Sequence, residues 1–259
     1  MELIMNNLNV IWFILLCVLF AGFFFLEGFD YGTGILLPVI GKTDVERRQM
    51  INALGPIWDG NEVWMITAGG ALFASFPHVY ATLFSGFYMA LFLMLAVLIM
   101  RGVAFEFRSK SANRTWRKVF DYCIFIGSIV PALLWGVTVG NLIQGTPIDE
   151  TMTYVGTFWD LLSPYTVLCG VAFVLVFTYH GGLFTSIKTA GPISERARAA
   201  SLVTGVPTAI GVIALIIASY VCTDLYSSIL ATIFCALAVV CFLISWAAAR
   251  TRNTKWGFV

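Results

Sequence analysis

From Tyr80 to Lys110 the chain reads YATLFSGFYMALFLMLAVLIMRGVAFEFRSK, with no charge as far as Met100 and then Arg101, Glu106, Arg108 and Lys110 in close succession. About 20 consecutive apolar residues suffice for a helix to cross the hydrocarbon of a bilayer. The stretch is therefore read as a membrane span that ends in a basic loop. The rest of the chain repeats this alternation. Of 259 residues, 59% are hydrophobic and 11% charged, against about 25% charged in an ordinary soluble domain. Lipid is the solvent such a composition requires.

Seven spans are predicted, over residues 10–29, 55–76, 80–100, 119–140, 163–183, 200–222 and 226–249. The first is read as retained rather than cleaved, because no Lys or Arg precedes it and FFFLEGFDYG follows in place of a small-residue cleavage site. All 15 Lys and Arg residues fall after odd-numbered spans. The positive-inside rule then places the N-terminus outside and the C-terminus inside. The expected fold is an all-α integral membrane protein with at least seven transmembrane helices.

Two basic loops echo one another: ERRQMINALGP from Glu46 and ERARAASLVTGVP from Glu195. Four spans separate them, so both halves would share one orientation, as parallel repeats do. The expected division is a first four-helix repeat over residues 1–140 and a second over 141–259. On that pattern the second repeat lacks the partner of helix four, and a further apolar helix is expected after Val259, with KWGFV as its start.

Charged side chains within a bilayer cost about 2.5–3.5 kcal/mol each on insertion scales, so they rarely persist without a role or a partner. Glu27 and Asp30 are three residues apart near the end of the first span, and Asp59 and Glu62 repeat that spacing at the start of the second. Glu106 follows the third. Carboxylates held near one another and partly away from water can pass protons. Against this stands helix capping by Asp59 and Glu62, with Arg101 as a structural charge neutralising the other acids. Trp58 and Trp64 are read first as packing or interfacial anchors.

The six cysteines are scattered singly, and no zinc or iron–sulfur spacing appears. Haem needs axial ligands across a bundle core, and His78 and His180, the two histidines, fall at different depths. No nucleotide-binding, serine-elbow or zinc-protease motif occurs. No residue is singled out as catalytic or metal-binding, and nucleic acid is not an expected partner.

FFFLEGFDYGTGILLP (Phe23 to Pro38), GPIWDGNEVWMITAGGALFASFP (Gly55 to Pro77), YATLFSGFYMALFLML (Tyr80 to Leu95) and RGVAFEFRSK (Arg101 to Lys110) resemble subunit II of the bacterial cytochrome bd quinol:oxygen oxidase family. The resemblance is dense over residues 10–118 and general beyond. It implies a haem-free, multi-pass subunit in the bacterial cytoplasmic membrane. Its partner would be a haem-bearing subunit I holding haem b and haem d, with small single-helix subunits beside them. The complex would oxidise quinol and reduce oxygen to water, drawing protons from the cytoplasm. The resemblance also implies that Asp59, with Trp58, matches the family's Trp-Asp-Gly motif and leads the proton-route candidates. Glu27 and Asp30 match its acid-Gly-Phe-Asp motif, and Trp64 falls near a proposed gas channel. Some members have a neutral residue where this chain has Glu62, and the family's subunit II is longer by at least one span. Two other readings remain: a secondary transporter, in which Pro131 and Pro207 would break helices, and a purely structural assembly subunit.

Overall fold

The apolar run that starts the chain does not end its helix where the hydrophobicity fades. A computed structural model, which describes residues 7–258, carries α1 from Leu8 to Ile40, a 33-residue helix. At 1.5 Å per residue this is about 50 Å, well beyond the roughly 30 Å of a bilayer's hydrocarbon. Glu27 and Asp30 therefore lie inside α1 rather than at its end. The half of α1 near Leu8 faces outward, whereas Glu27 through Leu37 are buried without interruption. One helix thus serves as a lipid-facing span and as the central rod of the bundle.

A sharp turn at Gly41–Thr43 leads into α2, Asp44–Leu54. Thr43 and Glu46 form a capping box there: the Thr43 hydroxyl accepts from Glu46 N–H, and Glu46 accepts from the backbone N–H groups of Thr43 and Lys42. After α3, Trp58–Ser75, the chain breaks twice. Pro77 starts the short α4, Pro77–Gly86, and a kink at Phe87 opens α5, Tyr88–Phe107, extended by a 3-10 turn at Arg108–Lys110. The span expected over residues 80–100 is thus divided in two and shifted towards the basic loop. Next come α6 (Arg114–Gln144), α7 (Pro164–Lys188), α8 (Pro192–Cys222), α9 (Ile229–Arg250) and the short α10 (Thr254–Phe258).

Among the described residues, six helices are long and apolar enough to cross a membrane: α1, α5 with its 3-10 turn, α6, α7, α8 and α9. The remaining expected span corresponds to α3, 18 residues long, which falls outside that set. Pro131 and Pro207 do not break their helices; α6 and α8 each run 31 residues through them. Membrane helices tolerate proline where neighbouring hydroxyls and helices serve the freed backbone, and Thr204 and Thr208 bond to carbonyls beside Pro207. The chain end turns back as α10, so that Phe258 lies among Phe25, Phe29 and Phe184. Val259 is outside the described residues.

Helices in lipid have no hydrophobic drive to associate and instead depend on close backbone packing. That packing is closest where α1 crosses α7. A Cβ on Gly32 would fall 1.7 Å from the Phe177 carbonyl oxygen, and one on Gly181 would fall 2.3 Å from the carbonyl carbon of Gly32. Thr33 completes the contact, its hydroxyl donating to Gly181 O at 3.3 Å and bonding the Thr185 hydroxyl at 3.1 Å. With α6 packed on both helices, this crossing sets which face of α1 meets α3 and α5.

Candidate functional site

Arg101, near the end of α5, has no exposed surface. Its backbone comes close to α6 because residue 127 is glycine; a Cβ there would meet Arg101 Cβ at 2.5 Å. From this position the guanidinium reaches into the space between α1 and α3. Arg101 Nη1 donates to Glu27 Oε2 at 3.4 Å and to Glu62 Oε1 at 3.2 Å. The guanidinium carbon lies 4.9 Å from the Tyr31 ring centroid and 5.2 Å from that of Phe105. An arginine head stripped of water is well served by such faces.

One turn along α1 from Glu27, Asp30 accepts a 2.9 Å hydrogen bond from Asn61 Nδ2. Asn61 itself is buried and sits beside Glu62 on α3. Glu27 and Asp30 are fully enclosed, whereas the Glu62 side chain keeps 22% of its surface. Glu62 is therefore the member of the cluster that reaches the surface. Several polar atoms lack a partner among the described residues: Glu27 Oε1, Asp30 Oδ1, the Tyr31 hydroxyl, and Arg101 Nε and Nη2. Two carboxylates bond one guanidinium, a third, Asp30, lies one turn from Glu27, and Glu27 and Asp30 each keep a free oxygen. That arrangement can hold a proton on either oxygen and exchange it along a short row.

The sequence-predicted acids do not all join it. Glu27 and Glu62 meet at Arg101, with Asp30 one turn away on Asn61; Asp59 and Glu106 stay apart. Asp59, in the first turn of α3, is exposed and makes no hydrogen bond or ion pair among the described residues, and the same holds for the exposed Glu106 on α5. Arg101, expected as a structural charge beside these acids, is the centre of the cluster. Trp58 packs its ring 5.4 Å from Phe105, which rotates Asp59 outward and Asn61 and Glu62 inward. Trp64 lies on α1 at Gly22, where a Cβ would come within 2.5 Å of the indole. Both tryptophans fasten α3 to its neighbours.

Sequence reasoning missed Asn61 and Tyr31, which carry no charge to flag them. It also missed a second ionic cluster at the basic end of the bundle. Asp121 takes a 2.5 Å hydrogen bond from Arg108 Nε and a 2.8 Å one from Arg47 Nη1. Asp44 takes Arg108 Nη2 at 3.0 Å and Arg117 Nη1 at 2.7 Å. These bonds tie α2, the end of α5 and α6 together. Asp121 falls inside the predicted span 119–140, so the argument from intramembrane charge applied to it as well. Glu46 pairs with Arg196 and joins α2 to α8. The backbone N–H of Thr43, chiefly, holds the Glu46 carboxyl below its usual range, with Lys42 N–H and Arg196 adding to the effect.

Comparison with known proteins points the same way along the whole chain. The sequence model of the family described as cytochrome bd terminal oxidase subunit II matches residues 8–259. A probable cytochrome oxidase subunit 2 from Haemophilus influenzae is 49% identical over 207 residues, which are 78% of this chain and 55% of that protein. Cytochrome bd ubiquinol oxidase subunit 2 from Bacillus subtilis is 40% identical over 257 residues, 98% of this chain and 76% of that one. The chain thus spans about half the length of the first relative and three quarters of the second. The solved structure of bd oxidase from Geobacillus thermodenitrificans superposes with a TM-score of 0.79 at 16% identity, covering 97% of this chain and 79% of that one. The helical scaffold is therefore shared well beyond the range of close sequence similarity, and this multi-pass membrane chain belongs to the cytochrome bd terminal oxidase subunit II family.

Proposed function

We propose that the chain serves as the haem-free subunit of a terminal respiratory oxidase in the bacterial cytoplasmic membrane. That oxidase oxidises quinol and reduces oxygen to water. The N-terminus lies outside, and the basic end of the bundle faces the cytoplasm, in keeping with the distribution of Lys and Arg. A haem-bearing subunit, with haem b and haem d, carries the redox chemistry, and small single-helix subunits complete the assembly. The observation that supports this reading best is the enclosed Arg101 held by Glu27 and Glu62, with buried Asp30 one turn from Glu27. Acids enclosed beside a cation in an apolar chain are costly unless they have a partner or a role, and proton handling is the role proposed for them.

Neither of the two histidines is placed to hold haem. The His180 ring packs 4.7 Å from Phe258 and also against Phe25 and Phe29. His78 is exposed at the start of α4, beyond the far end of α3. What the chain contributes is proton handling. Glu62 meets water at the cytoplasmic side, Arg101 holds Glu62 and Glu27 against a common donor, and the free oxygens of Glu27 and Asp30 accept and release the proton. Trp58 and Trp64 line the α1–α3–α5 seam, the direction in which an oxygen route would run. The broken helices that the transporter reading calls for are not found at Pro131 or Pro207, because α6 and α8 continue through them.

The two halves are proposed to be tandem repeats, residues 1–140 and 141–259. Glu195, Arg196 and Arg250 follow Glu46, Arg47 and Arg101 by one and the same interval, and Gly181 follows Gly32 by it too.

The deciding experiment purifies the chain from its native membrane. A co-purifying haem-bearing subunit, with quinol-dependent oxygen uptake by the pair, is the expected result. A chain that purifies alone and carries a solute across vesicles overturns the reading.

A further inference from the structure

At the basic end of the bundle, the start of α2, the 3-10 turn after α5 and the start of α6 enclose a cavity of about 680 Å³. Six cations line it: Lys42, Arg47, Arg108, Arg114, Arg117 and Lys118. Only Asp44 and Asp121 oppose them, which leaves four positive charges in excess. Arg47 and Arg117 are engaged with those carboxylates. Lys42, Arg114 and Lys118 are exposed and have no ion-pair partner among the described residues. Arg108 is 1% exposed, and while its Nε and Nη2 are bonded, its Nη1 has no acceptor. A buried guanidinium N–H without a partner is costly. Here its residue lines a cavity whose walls are positive in excess.

We propose that this cavity binds a phosphate-class anion, a phosphodiester or phosphomonoester, with Arg108 as the deep donor and Lys42, Arg114 and Lys118 as the outer clamp. Three features favour phosphate over a carboxylate. Arginine forks match its oxygens in pairs. The volume lies within the range of ordinary ligand sites. The cavity also sits where α5 leaves, and α6 enters, the apolar layer: Phe107 and Val119 flank the basic segment. That is the depth of lipid headgroups, and basic pockets between spanning helices there suit anionic lipids. A soluble phosphate would meet the same donors. This site is separate from the Arg101 cluster and does not depend on the proton-handling proposal.

The test uses the full chain, together with whatever subunit co-purifies, in detergent stripped of lipid. Binding of phosphatidylglycerol, phosphatidylcholine and inorganic phosphate is measured by native mass spectrometry and thermal shift. Retention of phosphatidylglycerol but not phosphatidylcholine is expected. The doubly substituted Arg114→Gln, Lys118→Gln protein should bind it about tenfold or more weakly, given the worth of each surface cation near anionic lipid. Both positions are exposed, so folding should survive. Arg108→Gln should abolish binding, and the outer pair decides the matter if that variant fails to fold. Stabilisation by inorganic phosphate that competes with the lipid would keep the site and assign it to a soluble phosphate. Equal retention of phosphatidylcholine, or an equal loss on Lys188→Gln in another basic loop, overturns the proposal.

Discussion

Arg101 and Arg250 stand at corresponding ends of α5 and α9, yet their surroundings differ in nearly every respect. Arg101 is fully enclosed and paired with Glu27 and Glu62. Arg250 is exposed, pairs with no carboxylate among the described residues, and rests on the Trp246 ring at 3.9 Å. At the interval that relates these two arginines, Glu27 corresponds to Val176 and Asp30 to Tyr179. Tyr179 spends its hydroxyl on Ser245 at 2.7 Å, a neutral bond between helices. The same helical frame thus carries an ionic centre on one side and a neutral seam on the other. Burying an arginine requires acids at the facing positions; without them the side chain moves outward and its helix packs through uncharged contacts.

The largest effect should come from the centre of that difference. Arg101→Gln leaves Glu27 and Glu62 without their cation inside the bundle, at a cost of about 3–5 kcal/mol. Arg250→Gln removes one exposed ring contact, worth about 0.5–1 kcal/mol. Thermal melting of the two variants in detergent should separate them clearly, and equal losses would erase the contrast. Adding Glu27→Gln to Arg101→Gln should restore part of the lost stability, because the stranded charge goes with it.

Next in size is the crossing that carries both halves. Gly32→Ala drives a methyl into the Phe177 carbonyl and should cost about 1–3 kcal/mol or more. Gly69→Ala, where nothing lies within 4 Å of the new atom, should be neutral or stabilise α3 by up to about 1 kcal/mol. Melting temperatures again decide, and a tolerated Gly32→Ala would show that the α1–α7 contact is looser than described.

A functional effect comes third. In the assembled complex, Glu27→Gln should lower oxygen consumption per haem about tenfold, equivalent to 1.4 kcal/mol on the barrier. Asp59→Asn, on an exposed group outside the cluster, should leave turnover near wild type. Haem content measured alongside keeps failed assembly from being mistaken for failed proton delivery. A larger loss for Asp59→Asn would return the first place to that residue and remove the Arg101 cluster from the route.

The smallest effect concerns the surface link between the halves. The Glu46 carboxyl is held below its ordinary value near 4.5. Its contribution is therefore present above that value and fades as pH falls through it towards the lower folded-state value. Hydrogen exchange in α2 should quicken on acidification through this window in the wild-type protein. In Glu46→Gln the change should be muted, and an unchanged pH response would detach Glu46 from the docking of α2 on α8.

Glu27 and Asp30 were legible as site candidates because an acid in an apolar run is conspicuous whatever the fold. Arg101 was legible only as a charge at a helix end, since the sequence does not show that Gly127 lets it sink against α6. Asn61 carries no signal that distinguishes it from a surface amide. Asp59 and Glu62 share the i,i+3 spacing that suggested a common face, but they part at the start of α3. Trp58 packing on Phe105 sets the rotation of that helix, and only Glu62 turns inward.

By itself the sequence determined the class of the molecule and the position of most helices. Uncharged runs of about 20 residues in lipid satisfy their backbone as helices, since the alternative, a closed barrel, is built from shorter strands. It also determined, through intact motifs, the family to which the chain belongs. The tertiary structure alone decided that α1 continues past its acids to Ile40, that the expected span over residues 80–100 kinks at Phe87, and that one guanidinium gathers acids from two other helices. These outcomes depend on contacts between residues far apart in the chain, such as Gly32 on Gly181 and Gly127 on Arg101. Local propensity and hydropathy do not contain such contacts, because the free energy that selects them arises only when the helices pack.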